Sequence, residues 1–141
     1  MKLTLTILLF LVVAACTDNS HWLQGEWISD TAATISAMPG HESFSQEAID
    51  VFSGVFGKLR WEFEGDVYRI VFPGLEPYET AYSLRSLDGA KEELTIEYQG
   101  VAIVLEINPT ETGFCAKSLA SGRYRSIESN QSVECFTRYE H

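Results

Sequence analysis

The chain is short of positive charge, with 10 Lys and Arg against 20 Asp and Glu and a net charge of −10 at pH 7. Nucleic acid and anionic lipid head groups both demand clustered cations, so this balance argues against either as a partner. It leaves a cationic protein as the charged partner the chain would attract. Histidine is scarce too: His21, His41 and His141 are the only three, none beside a Ser or Cys in a nucleophile motif. Cys-x-x-Cys, zinc and calcium-loop spacings are missing. Glu62 and Glu64 share one strand face, a common arrangement of solvated carboxylates. The chain is therefore read as a non-enzyme with no metal or cofactor. No apolar run reaches the roughly 20 residues of a membrane-spanning helix, and no repeat or low-complexity stretch interrupts the chain.

What is there begins with a targeting pattern. Lys2 is followed by residues 3–15, uncharged and mainly apolar, which fit a signal-peptide core of about 7–15 residues. Small residues Ala14 and Ala15 precede Cys16. The tetrad Val13-Ala14-Ala15-Cys16 resembles the bacterial lipobox, whose cysteine receives a diacylglyceryl group and becomes the first residue of the mature chain. The resemblance implies a signal peptide over residues 1–15, a lipidated tether over 16–22 and a bilayer-anchored lipoprotein on the periplasmic side of the envelope. Thr17, not an Asp, follows the cysteine, which under the same resemblance favours the outer over the inner membrane. The alternative is an ordinary secretory signal with an incidental cysteine. A buried methylene contributes about 0.8 kcal/mol, so one acyl chain such as palmitate holds marginally and two or three hold firmly. At about 3.5 Å per residue, residues 17–21 reach less than about 20 Å, keeping the domain near the bilayer.

Removing residues 1–15 from 141 leaves 126, enough for one domain over residues 23–141. Lys2 is the one charge lost, so the balance becomes −11. With Cys16 acylated, Cys115 and Cys135 remain, an even pair in an oxidising compartment. They are expected to bridge; the competing reading is two free buried thiols.

Within the domain, residues 23–29 read as a first strand and 31–41 as a loop turning at Pro39-Gly40. A helix is expected next, capped by Ser43 with Gln46 three places on. Its apolar face carries Phe44, Ala48, Val51, Phe52, Val55 and Phe56, and Gly57 closes it. Strands then succeed one another. Leu59, Trp61 and Phe63 alternate with charges; Tyr68, Ile70 and Phe72 follow; then come Tyr82 and Leu84, and Leu94, Ile96 and Tyr98. Residues 101–107 form the most apolar strand, stopped by Asn108-Pro109, and residues 114–119 and 133–139 complete the set around a polar loop at about 120–131. About eight short strands joined by tight turns predict an all-β domain: an up-and-down antiparallel barrel with one helix between strands one and two.

The segment Trp22-Leu23-Gln24-Gly25-Glu26-Trp27 resembles the opening strand of the lipocalin and fatty-acid-binding superfamily, with its Gly-x-Trp signature. The resemblance implies that Trp27, beside Gly25, plugs one barrel end and that Arg138, from the last strand, packs across it. It also implies a small apolar ligand inside. An eight-stranded barrel is either filled by side chains or holds one small molecule. The inward candidates are Trp61, Phe63, Tyr68, Phe72, Tyr82, Tyr98 and Phe114. Of these Trp61, Phe63, Tyr68, Tyr82 and Tyr98, with Phe52 and Phe56 of the helix, are the candidate ligand contacts. The helix is expected to be either a mobile lid or a fixed plug burying Phe44, Phe52 and Phe56. A second function class stays open: a pocketless inhibitor or immunity protein for a cationic toxin or hydrolase, resting on the acidic balance.

Overall fold

A computed structural model of the chain describes residues 21–119 and 133–141. Cys16, the expected signal segment 1–15 and the expected polar loop at 120–131 lie outside the described residues. Eight antiparallel strands form a closed barrel: β1 Gly25–Ser29, β2 Arg60–Glu64, β3 Val67–Val71, β4 Tyr78–Ser86, β5 Glu92–Tyr98, β6 Val101–Pro109, β7 Gly113–Leu119 and β8 Val133–Arg138. Each strand pairs with the next, and β8 returns to β1 through Trp27↔Arg138, Ile28↔Thr137 and Ser29↔Phe136. Alternation drives this arrangement. Most apolar side chains point to one face and most charged ones to the other, and closure leaves no sheet edge unpaired.

The outer face is laced by ion pairs across neighbouring strands. Glu62 accepts from Arg60 at 2.9 Å and from Arg69 at 2.6 Å, and Arg69 reaches on to Glu79 at 2.7 Å. Glu62 thus sits among arginines on the outside of the barrel, and Glu64 is exposed to solvent. The disulfide between Cys115 and Cys135 ties β7 to β8 directly opposite one another.

Residues 30–58 depart from the expectation of one helix after a loop. The expected loop contains a helix, α1 (Thr31–Ala37), whose N-cap Asp30 accepts a hydrogen bond from the Ala33 N–H. A single 3-10 turn, His41–Ser43, leads into α2 (Gln46–Val55). The cap of α2 is Ser45, which accepts from the Ala48 N–H, and Ser43 belongs to the turn before it. Gln46 is accordingly the first helical residue and donates to Asp50 one turn on, at 2.9 Å, with no part in a capping box. Gly57 follows the C-cap Phe56 with φ +85, the left-handed conformation expected there.

It is α1 that completes the barrel wall. β1 ends at Ser29, which would leave the Cys135 peptide without a neighbour. The Asp30 N–H donates to the Cys135 carbonyl at 2.7 Å, and the Cys135 N–H donates to Thr34 Oγ1 at 2.8 Å. Thr34 is fully buried as a result. By contrast α2 packs chiefly on α1. Phe52 of α2 lies 5.5 Å from Phe44, before the helix, and 6.1 Å from Phe56, its C-cap, the rings tilted and all half-buried, while Val51 and Val55 are exposed. Part of the helix's apolar face, at Val51 and Val55, is thus left exposed. β6 ends at Pro109, two residues beyond the expected Ile107, with Pro109 pairing with Phe114 at the strand's last position, where proline's missing donor is tolerated.

Candidate functional site: the barrel interior

The two barrel ends differ. One is sealed by the segment entering β1. Leu23 is fully buried, and the Trp27 indole N–H donates to its carbonyl at 2.7 Å. The Arg138 guanidinium lies 3.9 Å over the Trp27 ring and donates to the carbonyls of Gln24 and Trp22 at 2.5 and 2.7 Å. Gly25 has φ +110, and a Cβ there would lie 2.5 Å from the guanidinium, so this glycine is demanded by both backbone and packing. Trp22 and His21 are held by opposite oxygens of Glu92 at 2.9 and 2.8 Å. Beside them a shallow cleft of ≈ 370 Å³, lined by Trp22, Ser86, Lys91, Glu92 and Pro109 among others, opens to the outside of this end.

Behind the seal, six aromatic side chains interlock. Trp61 stacks on Phe136 at 4.2 Å, and Phe114 stacks on Phe136 at 5.1 Å. Trp27 meets Phe114 edge-on at 5.0 Å, Tyr68 meets Trp61 edge-on at 5.4 Å, and Phe63 lies 5.3 Å from Tyr68. Such pairs contribute about 0.5–1.5 kcal/mol each beyond the area they bury. This half of the barrel is a packed core.

Toward the helix end the packing thins. On the same inward-facing register, Ile70, Ile103 and Leu105 are only partly buried. Thr80 and Ser118 on that face are half-buried as well. The three aliphatic side chains pack against the aromatic core and keep part of their surface accessible. The rim of this end is apolar: Val51 and Val55 of α2, Phe72 and Leu75 of the β3–β4 turn, and Tyr98 and Val101 of the β5–β6 turn are all exposed.

Among the polar groups on the inward register, three stand out. Trp61 Nε1 and Tyr68 Oη are buried with no hydrogen-bond partner. The third is Glu134, inward-facing on β8 and opposite Ala116, whose carboxylate accepts from Ser29 Oγ at 2.6 Å. Burial pushes the Glu134 carboxyl above its usual range, against the opposing pull of the Ser29 hydroxyl. Burial, and secondarily the charge of Glu134, holds the Tyr68 phenol well above its ordinary value.

The expected ligand contacts thus divide. Trp61, Phe63 and Tyr68 lie in the core, with the Trp61 and Tyr68 polar atoms free. Tyr82 is inward-facing, but its hydroxyl is committed at the sealed end, donating to the Gly65 carbonyl at 2.9 Å and accepting from Gln24 at 2.7 Å. Tyr98 stands at the rim against Tyr78, 4.7 Å away, and Phe72 lies past the end of β3 in solvent, not in the core. Phe52 of α2 and Phe56 at its C-cap cluster with Phe44, which precedes the helix. Glu134 and Ser29 were missed by sequence reading. Both fall on inward positions of their strands, and a Glu at such a position is the signal that points to them.

No described group of His, Cys, Asp and Glu is arranged to hold a metal, and no described helix is long and apolar enough to cross a membrane. No protein-family model, curated protein or solved structure matches the chain. Its function is therefore argued from this interior.

Proposed function

We propose that this protein is a lipid-anchored envelope barrel of lipocalin-like kind that holds one small apolar molecule with a polar end. One observation carries the reading: two hydrogen-bond donors, Trp61 Nε1 and Tyr68 Oη, are buried without acceptors inside the closed barrel. A buried unsatisfied donor costs about 1–3 kcal/mol, and an acceptor on a bound molecule removes that cost. Partly buried aliphatic side chains supply the apolar lining, and the exposed apolar rim at the helix end supplies an entrance.

The anchor is the lipobox cysteine, Cys16. Residue 21 enters at the sealed end, where His21 and Trp22 hold Glu92. A lipid on Cys16, less than about 20 Å away along the chain, faces the sealed end to the bilayer and the apolar rim to the periplasm.

The test is binding of N-phenyl-1-naphthylamine, a neutral apolar fluorophore, to the full chain. Saturable one-site binding with energy transfer from tryptophan is expected, and Ile103→Trp, which fills the interior, abolishes it while leaving the circular dichroism unchanged. Absence of binding, together with native mass spectra free of any retained small molecule, refutes the ligand reading. For the anchor, Cys16→Ser removes metabolic labelling by an alkynyl fatty acid and releases the protein from membranes; a variant that stays labelled refutes the anchor.

A further inference from the structure

Exposed apolar side chains are not scattered over this barrel. Among the described residues, the large hydrophobic side chains that stand in solvent all lie at the helix end: Val51 and Val55 on α2, Phe72 and Leu75 at the β3–β4 turn, Tyr98 and Val101 at the β5–β6 turn. The last four sit on two hairpin tips that touch. β4 and β5 are neighbours, and Tyr98 pairs with Val101 across the β5–β6 turn. Tyr78, where β4 leaves the β3–β4 turn, meets the Tyr98 ring edge-on at 4.7 Å and donates its hydroxyl to the Glu97 carbonyl at 3.1 Å. An apolar cluster of this kind on a soluble surface marks a place where something binds.

Carboxylates frame the two tips. Glu76 follows Leu75, Glu97 precedes Tyr98, and both are exposed. On the barrel wall Glu62, Glu79, Glu93 and Glu106 are each matched to an arginine or lysine. Glu76 and Glu97 have no ion-pair partner among the described residues. Three cations of this end are already engaged: Lys58 on the Gly54 carbonyl, Arg60 on Glu62, and Arg69 on Glu62 and Glu79. The tips thus join accessible apolar surface to unanswered negative charge.

That combination selects the occupant. A second copy brings the same carboxylates and a net charge of −10 to meet its own, and like charges facing one another oppose association. Anionic head groups are repelled in the same way, and the chain enters the barrel at the opposite, sealed end, where His21 and Trp22 hold Glu92. A protein whose apolar side chains are ringed by lysine or arginine meets both requirements. We infer that the tips of the β3–β4 and β5–β6 hairpins are a docking surface for such a cationic protein: its apolar groups cover Phe72, Leu75, Tyr98 and Val101, and its cations answer Glu76 and Glu97. This goes beyond the ligand reading and does not depend on it.

The probe is a fluorescein-labelled amphipathic peptide with leucine on one helical face and lysine on the other, titrated with the full chain and followed by fluorescence anisotropy. Saturable one-site binding is expected. Leu75, 67% exposed, is the first test position: Leu75→Ser weakens binding about tenfold, the loss of one apolar contact, and Phe72→Ser does the same. Glu76→Lys with Glu97→Lys weakens it about fivefold and blunts its salt dependence. Asp88→Lys with Glu111→Lys, an equal charge change at exposed turns of the sealed end, leaves it unmoved. Thermal unfolding verifies that each variant folds, and the two serine variants stand on their own, so one of them suffices to decide. Absence of saturable binding overturns the inference, as does an equal loss in the sealed-end variant or equal binding of the peptide with glutamate for lysine. Three further results overturn it by naming another occupant: a dimer in sedimentation that Leu75→Ser dissociates; flotation with phosphatidylcholine vesicles that Leu75→Ser abolishes; and binding that emerges only after Arg123→Ser with Arg125→Ser, in the segment joining β7 to β8 at this same end.

Discussion

Replacing Arg138 by alanine takes away three contacts at once. Its guanidinium lies 3.9 Å over Trp27 and donates to the carbonyls of Gln24 and Trp22. A cation over an indole at an exposed site contributes about 0.5–1 kcal/mol. Hydrogen bonds from a charged donor contribute about 1.5–3 kcal/mol in sheltered sites. Arg138 is solvent-exposed and water competes for both carbonyls, so about 0.5–1 kcal/mol each is the appropriate figure. The sum predicts a loss of about 2 kcal/mol for Arg138→Ala. Lysine restores little of this, because a single ammonium cannot lie over the ring and fork to two carbonyls. Urea unfolding is the assay, with the midpoint falling and the slope unchanged if the native and denatured states keep their compactness. A loss below about 0.5 kcal/mol for alanine, or full recovery with lysine, would show that the seal does not depend on this geometry.

Further expectations follow from the bridge and from two carboxylates. The Cys115–Cys135 disulfide spans 20 residues of sequence, so the paired change to serine, or reduction, is expected to cost about 3 kcal/mol in the chain-entropy account; chemical denaturation with and without reductant measures it, and coincident curves contradict it. Glu62 is pushed up by partial burial, but hydrogen bonds from Arg69 and Arg60 win and hold its carboxyl below the usual range. Its contribution is therefore full above the unfolded carboxyl value and is lost as pH falls through the folded one, so Glu62→Gln destabilises at pH 7 and is neutral at low pH. Glu134 has the opposite sign: its raised carboxyl makes the folded state less favourable as pH climbs from the unfolded value through the folded one. Glu134→Gln is accordingly stabilising at pH 7 and silent in acid, and parallel pH profiles for the two variants would refute both assignments.

Much of the barrel was legible because strand alternation is a local signal of period two. Trp61 and Phe63 against Arg60 and Glu62, or Leu94 and Ile96 against Glu93 and Thr95, state which face is inside before any pairing is known. The turns at Gly65-Asp66, Asp88-Gly89 and Gln99-Gly100 then give the neighbours, and Gln99 adopts φ +51 ahead of Gly100 at +77. Helix α1 was illegible for the same reason in reverse. Its seven residues, Thr31–Ala37, are too few to show a helical period; the segment is held by the Asp30 cap and by the Thr34 bond to Cys135, far away in sequence. The cap of α2 slipped from Ser43 to Ser45 because two serines two residues apart offer equal local chemistry.

Alternation reports the side of a strand and not the height along the barrel. Phe72 and Tyr98 had the inward parity of their strands, yet both lie at the exposed rim. Tyr82 had the same parity, and its hydroxyl is spent at the other end. Height is set by strand tilt and by the register of all eight pairings together, which no single segment encodes. By itself, then, the sequence determined the class of element, the inward face and the residues able to seal an end, since those depend on neighbours a few residues apart. Only tertiary structure decided that β8 meets β1, that α1 finishes the wall, and that Trp61, Tyr68 and Glu134 face one interior, because each of those contacts joins segments whose order in the chain says nothing of their distance in space.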